Sequence, residues 1–367
     1  MRIGIACPYS WDVPGGVQFH IRDLAEELIS LAPVPMSKVF FTNSGAEALE
    51  CAIKTARRWQ WSKGRGERYR LITFEGAFHG RTMFSLALTG KVDPYKKGFG
   101  PFPAEVFHAP FPDPLHGVSI EDAMHGLELI FKNDIEATRV AAIIVEPVQG
   151  EGGYIPAPVE FLQRLRTLCD QHGIVLIVDE IQTGAARCGK FFAVEYAGIE
   201  PDVITMAKGL GGGMTISAVI GKAEIMDAAG PGGLGSTYAG HPVAVASALA
   251  VLDVIEDENL TERATALGEK CRTRLNGLRS RFECIADVRG LGAMTAVEFS
   301  HDGDPSKPAG EIATALKNEA AKRGLLLLNC GSYGNVLRLM LPLTIPDSVL
   351  DEGMEILEAS LTAAVGT

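Results

Sequence analysis

From residue 38 onward, short runs rich in β-branched and aromatic residues alternate with stretches of helical period. This alternation restricts the fold more than any other feature of the chain. The runs are "KVFFT" (38–42), "RLITF" (70–74), "AAIIVEP" (141–147), "GIVLIVDE" (173–180) and "DVITMA" (202–207). Between them lie "AEALECAIKTARRW" (46–59), with apolar residues three and four apart, and "PVEFLQRLRTLCDQHG" (158–173), a helix stopped by glycine. Strands that are apolar along their whole length are buried on both faces, so the pattern predicts an α/β fold with a mostly parallel central sheet flanked by helices. Beyond Tyr238 the texture changes. A long helix near 241–256, a second helix, "DVRGLGAMTAVEF" (287–299), a helix over 309–323 and strands near 325–329 and 335–340 predict a smaller α+β C-terminal domain. The expected division is therefore 1–32, 33–240 and 241–367.

A formal net charge of -11 leaves no basic stripe to displace counterions, which argues against a nucleic-acid partner. The seven cysteines are scattered and contain no C-x-x-C, as expected of reduced thiols in a cytoplasmic protein and not of a disulfide framework or a zinc site. The N-terminus lacks a secretory pattern, and "VAVASALAVLDVI" (243–255) is too short to span a bilayer and holds an aspartate, so it reads as a buried helix and no membrane is expected.

Two glycine motifs fail on context. "GPGGLG" (230–235) has the spacing of a dinucleotide fingerprint but follows a helical segment instead of a strand. "GAARCGK" (184–190) has phosphate-loop spacing but is followed by Phe191, where magnesium binding needs Ser or Thr. The histidines lack metal-ligand spacing, so no metal is expected.

Three other elements fit one kind of cofactor. Asp179 ends an apolar strand, at the edge where open α/β sheets collect ligands, and could hold a protonated ring nitrogen with Gln182 reaching another polar atom. A magnesium-binding Asp-Glu pair or a helix cap would explain it equally well. Lys208 emerges from "DVITMA" into a glycine run, where a lysine amine can have a depressed pKa and act as a nucleophile; a solvated surface charge is the alternative. "FFTNSGAEALE" ends a strand and opens a helix, whose free amides and dipole can cradle a phosphate, although an ordinary cap by Asn43 or Ser44 accounts for the same residues. Amine, carboxylate and helix N-terminus together are the protein's share of pyridoxal-phosphate chemistry.

At this point a family resemblance enters. "GAFHGRT" (76–82), "LALTGKVDPYKKGFGP" (86–101), "PDPLHG" (112–117), "IIVEPVQGEGGY" (143–154), "GGLGSTYAGHPVA" (232–244), "DVRGLGAM" (287–294) and "CGSYGNVLRLMLPLT" (330–344) resemble the class III aminotransferases, fold-type I pyridoxal-phosphate enzymes, and within them the bacterial 4-aminobutyrate transaminases. The resemblance implies pyridoxal 5′-phosphate (PLP) as cofactor. It also implies an exchange in which an amine donor, 4-aminobutyrate or a similar ω-amino acid, passes its amino group to 2-oxoglutarate.

Under this resemblance Lys208 would carry the cofactor and shuttle the proton, and Asp179 would keep the pyridine nitrogen protonated. Gln182 would bond the phenolic oxygen, Gly45 and Ala46 the phosphate, and Phe78 would stack on the ring. Thr237 would reach the phosphate in a neighbouring subunit, which implies a homodimer or a dimer-based tetramer. Arg81 would hold the distal carboxylate and Arg338 the α-carboxylate. Glu151 would cover Arg338 when the substrate has no α-carboxylate, because an unmatched arginine would be a desolvated charge. Glu146 resembles a polar position near the cofactor, or it stabilises the turn before Pro147. Surface ion pairing is the bland alternative for these charges.

Thr215 stands where a proline is common in the family, and Ala185 where an aromatic residue is expected. The segment before "KVFFT" is shorter than the resemblance implies. Residues 1–30, with an apolar strand at 2–6, a Pro/Gly turn and a helix from near Val17, resemble instead the start of a GT-B phosphatidylinositol mannosyltransferase. The join is expected near "ISLAPVPMSK" (29–38), and such a replacement threatens stability more than chemistry. Three further readings follow from these features: an acetylornithine- or ornithine-type aminotransferase, an aminotransferase fold impaired at its N-terminus, and a glycosyltransferase supported by the first thirty residues alone.

Overall fold

A computed structural model describes residues 16–33 and 35–366; the strand expected at 2–6 and the turn after it lie outside them. The described residues begin with helix α1 (Gly16–Leu31), strand β1 (Lys38–Thr42), α2 (Gly45–Ser62), β2 (Arg70–Phe74), α3 (Met83–Leu88), β3 (Val106–Ala109), α4 (Ile120–Leu129) and β4 (Val140–Val145). A two-stranded ribbon, β5 (Val148–Gln149) and β6 (Ile155–Pro156), precedes α5 (Val159–His172), β7 (Val175–Asp179), β8 (Val203–Met206), β9 (Ser217–Gly221) and α6 (Ala223–Met226). The remainder is α7 (Pro242–Asp257), α8 (Leu260–Leu278), β10 (Ile285–Leu291), β11 (Met294–Phe299), α9 (Gly310–Lys322), β12 (Leu328–Cys330), β13 (Val336–Leu339) and α10 (Asp347–Val365).

Seven strands form the main sheet in the order β1-β9-β8-β7-β4-β2-β3. Only β9 runs antiparallel to its neighbours, so the expected mostly parallel sheet is observed. β1, β2, β4, β7 and β8 are buried along their whole length, as uniformly apolar runs require. β3 and β9 have no counterpart among the expected runs. "VFHA" carries a histidine and is half-buried, and "SAVIG" follows a glycine run that reads as loop.

Helix α1 is seated in the core of this sheet. Ile21, Leu24, Ala25 and Leu28 are buried in one cluster with Val39 and Phe41 of β1 and with Ala244, Val245 and Ala248 of α7. The stretch 243–255 is buried along one face only, since Val243 and Val254 are exposed.

The C-terminal unit is a four-stranded antiparallel sheet, β10-β11-β13-β12, backed by α8, α9 and α10. The strand expected from 325 starts at Leu328. Gly324, with φ +88, ends α9, and the Leu325 N–H still bonds the Ala320 carbonyl at 2.9 Å, so these residues belong to the helix cap.

Candidate active site

Because β1, β8 and β7 run parallel within one sheet, their C-terminal ends open on the same edge, and the residues that follow them meet there. A cavity of about 380 Å³ is lined by Ser44, Gly45 and Ala46 after β1, Asp179 at the end of β7 and Gln182 beyond it, Lys208 after β8, and Phe78, Arg81 and Glu146 from the flanking loops. Thr215 lines it as well. The structure thus gathers most of the candidate residues from five separate segments of chain.

At the helix start Ser44 is extended and its hydroxyl accepts the Glu47 N–H at 3.3 Å, which is ordinary capping. The Gly45 and Ala46 amides, at the first two helical positions, have no acceptor among the described residues, and both residues line the cavity. Gly45 lies close under Ile181, where an added Cβ would be 2.9 Å from Cδ1 and would require that side chain to shift.

Asp179 is buried and fully engaged. Its Oδ1 accepts the Ile181 N–H and the Thr205 hydroxyl, both at 3.1 Å, and its Oδ2 accepts His79 Nδ1 at 2.7 Å. Glu180 turns to other partners, the Val194 N–H and the Thr183 hydroxyl, so the adjacent carboxylates do not converge. His79 Nε2 contacts Thr73 Oγ1 at 3.0 Å. Burial pulls the imidazole down, but the hydrogen bond and charge of Asp179, with the charge of Glu146, outweigh it and raise the His79 pKa. His79 lies inside the "GAFHGRT" match without carrying an assigned role, and only the fold brings it against Asp179.

Lys208 directly follows Ala207 and has φ +42, a left-handed conformation that costs a lysine about 1–3 kcal/mol and that tends to occur at functional sites. Its amine has no hydrogen-bond or ion partner among the described residues. Desolvation lowers its pKa, and the carboxylates of Asp179, Glu146 and Glu151 only partly offset this. The amine is therefore closer to a nucleophile than an ordinary lysine. Gln182 Oε1 is buried without a partner, an orphaned acceptor on the cavity wall.

Glu146 accepts the Phe78 N–H at 2.9 Å and the Gly150 N–H at 3.0 Å, which ties two loops together. Burial pushes it up to about 7, against the opposing charge of His79. Arg338 and Glu151 form an ion pair, and the Tyr95 hydroxyl donates to the other Glu151 oxygen at 2.9 Å. Burial works against the Arg338 charge, but Glu151 more than restores it, so its pKa is raised. The Tyr95 ring packs against Phe78 at 5.0 Å and beneath the Arg81 guanidinium at 4.8 Å. A continuous row Arg81–Tyr95–Glu151–Arg338 results; Arg81 lines the cavity with Lys208, whereas Glu151 and Arg338 are not among its lining residues, and nothing in the sequence marks Tyr95 as the link between them. Thr237 is not brought into this cavity; it stands exposed in the stretch before α7. Ala185 lies outside the lining with φ +55.

Residues 14–361 match the family "Aminotransferase class-III". The chain belongs to the class III aminotransferases. The match takes in α1. This aminotransferase is 52% identical over 336 residues to a 5-aminovalerate aminotransferase of Pseudomonas aeruginosa, covering 91% of this chain and 78% of that one. It is 48% identical over 320 residues to a 4-aminobutyrate aminotransferase of Escherichia coli, covering 87% and 74%. Among solved structures, an amine transaminase from an uncultivated Pseudomonas species in its PLP-bound form superposes with a TM-score of 0.88 at 30% identity, covering 97% of this chain and 83% of that one.

Proposed function

We propose that this aminotransferase moves the amino group of an ω-amino acid, 4-aminobutyrate or 5-aminovalerate, to 2-oxoglutarate with PLP as cofactor. The observation that carries the reading is the Arg338–Glu151 pair set across Tyr95 from Arg81. An ω-amino acid has one carboxylate, which Arg81 takes, and its complex needs Arg338 neutralised by Glu151. Glutamate and 2-oxoglutarate have two, and the second displaces Glu151, because an arginine fork binds both oxygens of a carboxylate.

The residues present fit PLP. The free Gly45 and Ala46 amides suit its phosphate, the orphaned Gln182 Oε1 suits a hydroxyl donor, the Asp179 carboxylate suits a protonated ring nitrogen, and Phe78 offers a ring face. When bound, PLP supplies the electron sink that allows the amine-bearing carbon to lose a proton. Lys208 holds the cofactor and moves that proton with its amine, His79 fixes the Asp179 carboxylate, and Arg81 and Arg338 orient the substrate.

The exposed Thr237 is assigned to the cofactor phosphate of a second copy, giving a homodimer with shared sites. The described cysteines are all free, which supports a reducing, cytoplasmic location. Among the described residues no helix is long and apolar enough to cross a membrane. The test is glutamate formation from 2-oxoglutarate with each donor, using Lys208→Ala as the control. Formation with either donor, lost in the variant, is the expected result; no glutamate from either would overturn the proposal.

A further inference from the structure

Arg289 of β10 stands opposite Ala296 of β11, and Ala296 stands opposite Arg338 of β13. Residues paired across antiparallel ladders project on the same face, so both guanidiniums share one face of the small sheet with an alanine between them. Both reach the same turn, residues 150–153. Arg338 takes the Glu151 carboxylate, and Arg289 Nε donates to the Gly153 carbonyl at 2.9 Å.

The two arginines are held very differently. Arg289 is paired with Glu298 at 2.7 Å and Asp287 at 3.1 Å. Glu298 also takes His116 Nε2 at 2.8 Å and Asn335 Nδ2 at 3.2 Å, and both Glu298 and Asn335 are 2% exposed. Arg338 has Glu151 as its ion partner among the described residues, and its Nε is buried without a bond. The Glu151 backbone is fixed as well, its carbonyl accepting the Gly331 N–H at 2.9 Å. Gly153, at φ +131, permits the approach, since a Cβ there would lie 3.0 Å from Arg289 Nη2.

We propose that Arg289 is the positioning residue of the substrate gate: it pins the backbone of the 150–153 turn to the small sheet, so that Glu151 leaves and rejoins Arg338 by side-chain rotation alone. This rests on the reading of Glu151 and Arg338 given above and adds what sets the resting place of Glu151. A loosened turn weakens the closed pair. That penalises substrates needing Arg338 covered and spares those bringing their own α-carboxylate.

The test uses Arg289→Lys holoenzyme, which keeps the charge beside Glu298 but lacks the fork that reaches Glu298, Asp287 and Gly153 together. Single-turnover kcat/KM is measured for 4-aminobutyrate and for glutamate, which react with the same form of the enzyme. The 4-aminobutyrate to glutamate ratio is expected to fall about tenfold, with glutamate unchanged or improved. An equal fall for both donors, or an unchanged ratio, overturns the proposal. Glu298→Gln, which leaves the side-chain shape intact, is measured alongside and decides the matter if Arg289→Lys does not fold; a smaller fall in the same direction is expected, and an unmoved ratio refutes the role. Glu151→Gln separates the two layers. If it leaves the ratio unchanged, the gate reading itself fails; if it lowers the ratio while the Arg289 variant does not, only the positioning role fails.

Discussion

Replacing Asp179 with Asn removes one charge while leaving room for every neighbour. The Asn Oδ1 can keep the Ile181 N–H and the Thr205 hydroxyl, each at 3.1 Å in the parent. The new NH2 then faces His79 Nδ1, which lies 2.7 Å from the carboxylate oxygen it replaces. Nδ1 must become an acceptor, and Nε2–H donates toward Thr73 Oγ1 at 3.0 Å. Charging the ring in this arrangement would set two donors face to face. Exchanging a charge-assisted bond for a neutral one costs about 1–2 kcal/mol.

The larger effect lies in pH dependence, and its sign reverses. In the parent the folded His79 pKa is raised, so its contribution to stability is present below the unfolded value and is lost as pH rises through the folded one. In the variant the favourable bond and charge of Asp179 are gone and burial dominates, so stability is lost as pH falls. Each unit separating the two His79 titrations is worth about 1.4 kcal/mol. Urea denaturation of both proteins after removal of the cofactor, from roughly pH 5.5 to 8.5, reads the difference directly, because no ligand linkage then enters. The gap should widen toward acid. A gap that stays constant across the range would refute the reasoning, since the His79 charge would then be independent of Asp179. Transaminase activity should fall in the variant even where its stability is near normal.

Lys208→Ala should cost at least about 10³-fold in turnover with little loss of stability, because it removes a desolvated amine on a left-handed backbone; thermal melting beside the glutamate assay checks both. Leu28→Ala should cost about 2–5 kcal/mol in denaturant unfolding, since Leu28 is fully buried where α1 meets the sheet. Glu146, raised to about 7 by burial, should make stability decline as pH rises from its unfolded value toward 7 and level off above; Glu146→Gln should lack that slope in the same titration. Arg81→Gln should raise KM for 4-aminobutyrate and 2-oxoglutarate together, because both would lose the clamp on their distal carboxylate.

Much of the site was legible because it is local. Asp179 and Lys208 are each the residue at which an apolar strand gives way to a turn, and Gly45 and Ala46 open a helix directly after β1. Strand ends in a parallel sheet share an edge, so identifying the strands was enough to bring these residues together. Thr73, His79 and Tyr95 were not assigned roles on this reasoning. A histidine between a phenylalanine and a glycine carries no periodic signal, and neither does a tyrosine in the 89–105 loop. β9 escaped because a short strand after a glycine run reads as loop, whereas α10 carries a helical period, Leu350, Met354, Leu357 and Leu361, that the sequence reading did not use.

By itself, then, the sequence determined the α/β alternation, the chemistry available at the strand ends and, through long matching stretches, the kind of enzyme. These depend on near neighbours along the chain, where apolar period, glycine and capping residues act directly on the backbone. Only the tertiary structure decided that Glu151 meets Arg338 across 187 residues, that His79 meets Asp179 across 100, and that Arg289 lies one alanine away from Arg338. Sheet order and strand register set those pairings, and both are outcomes of packing the whole core, which no local pattern encodes.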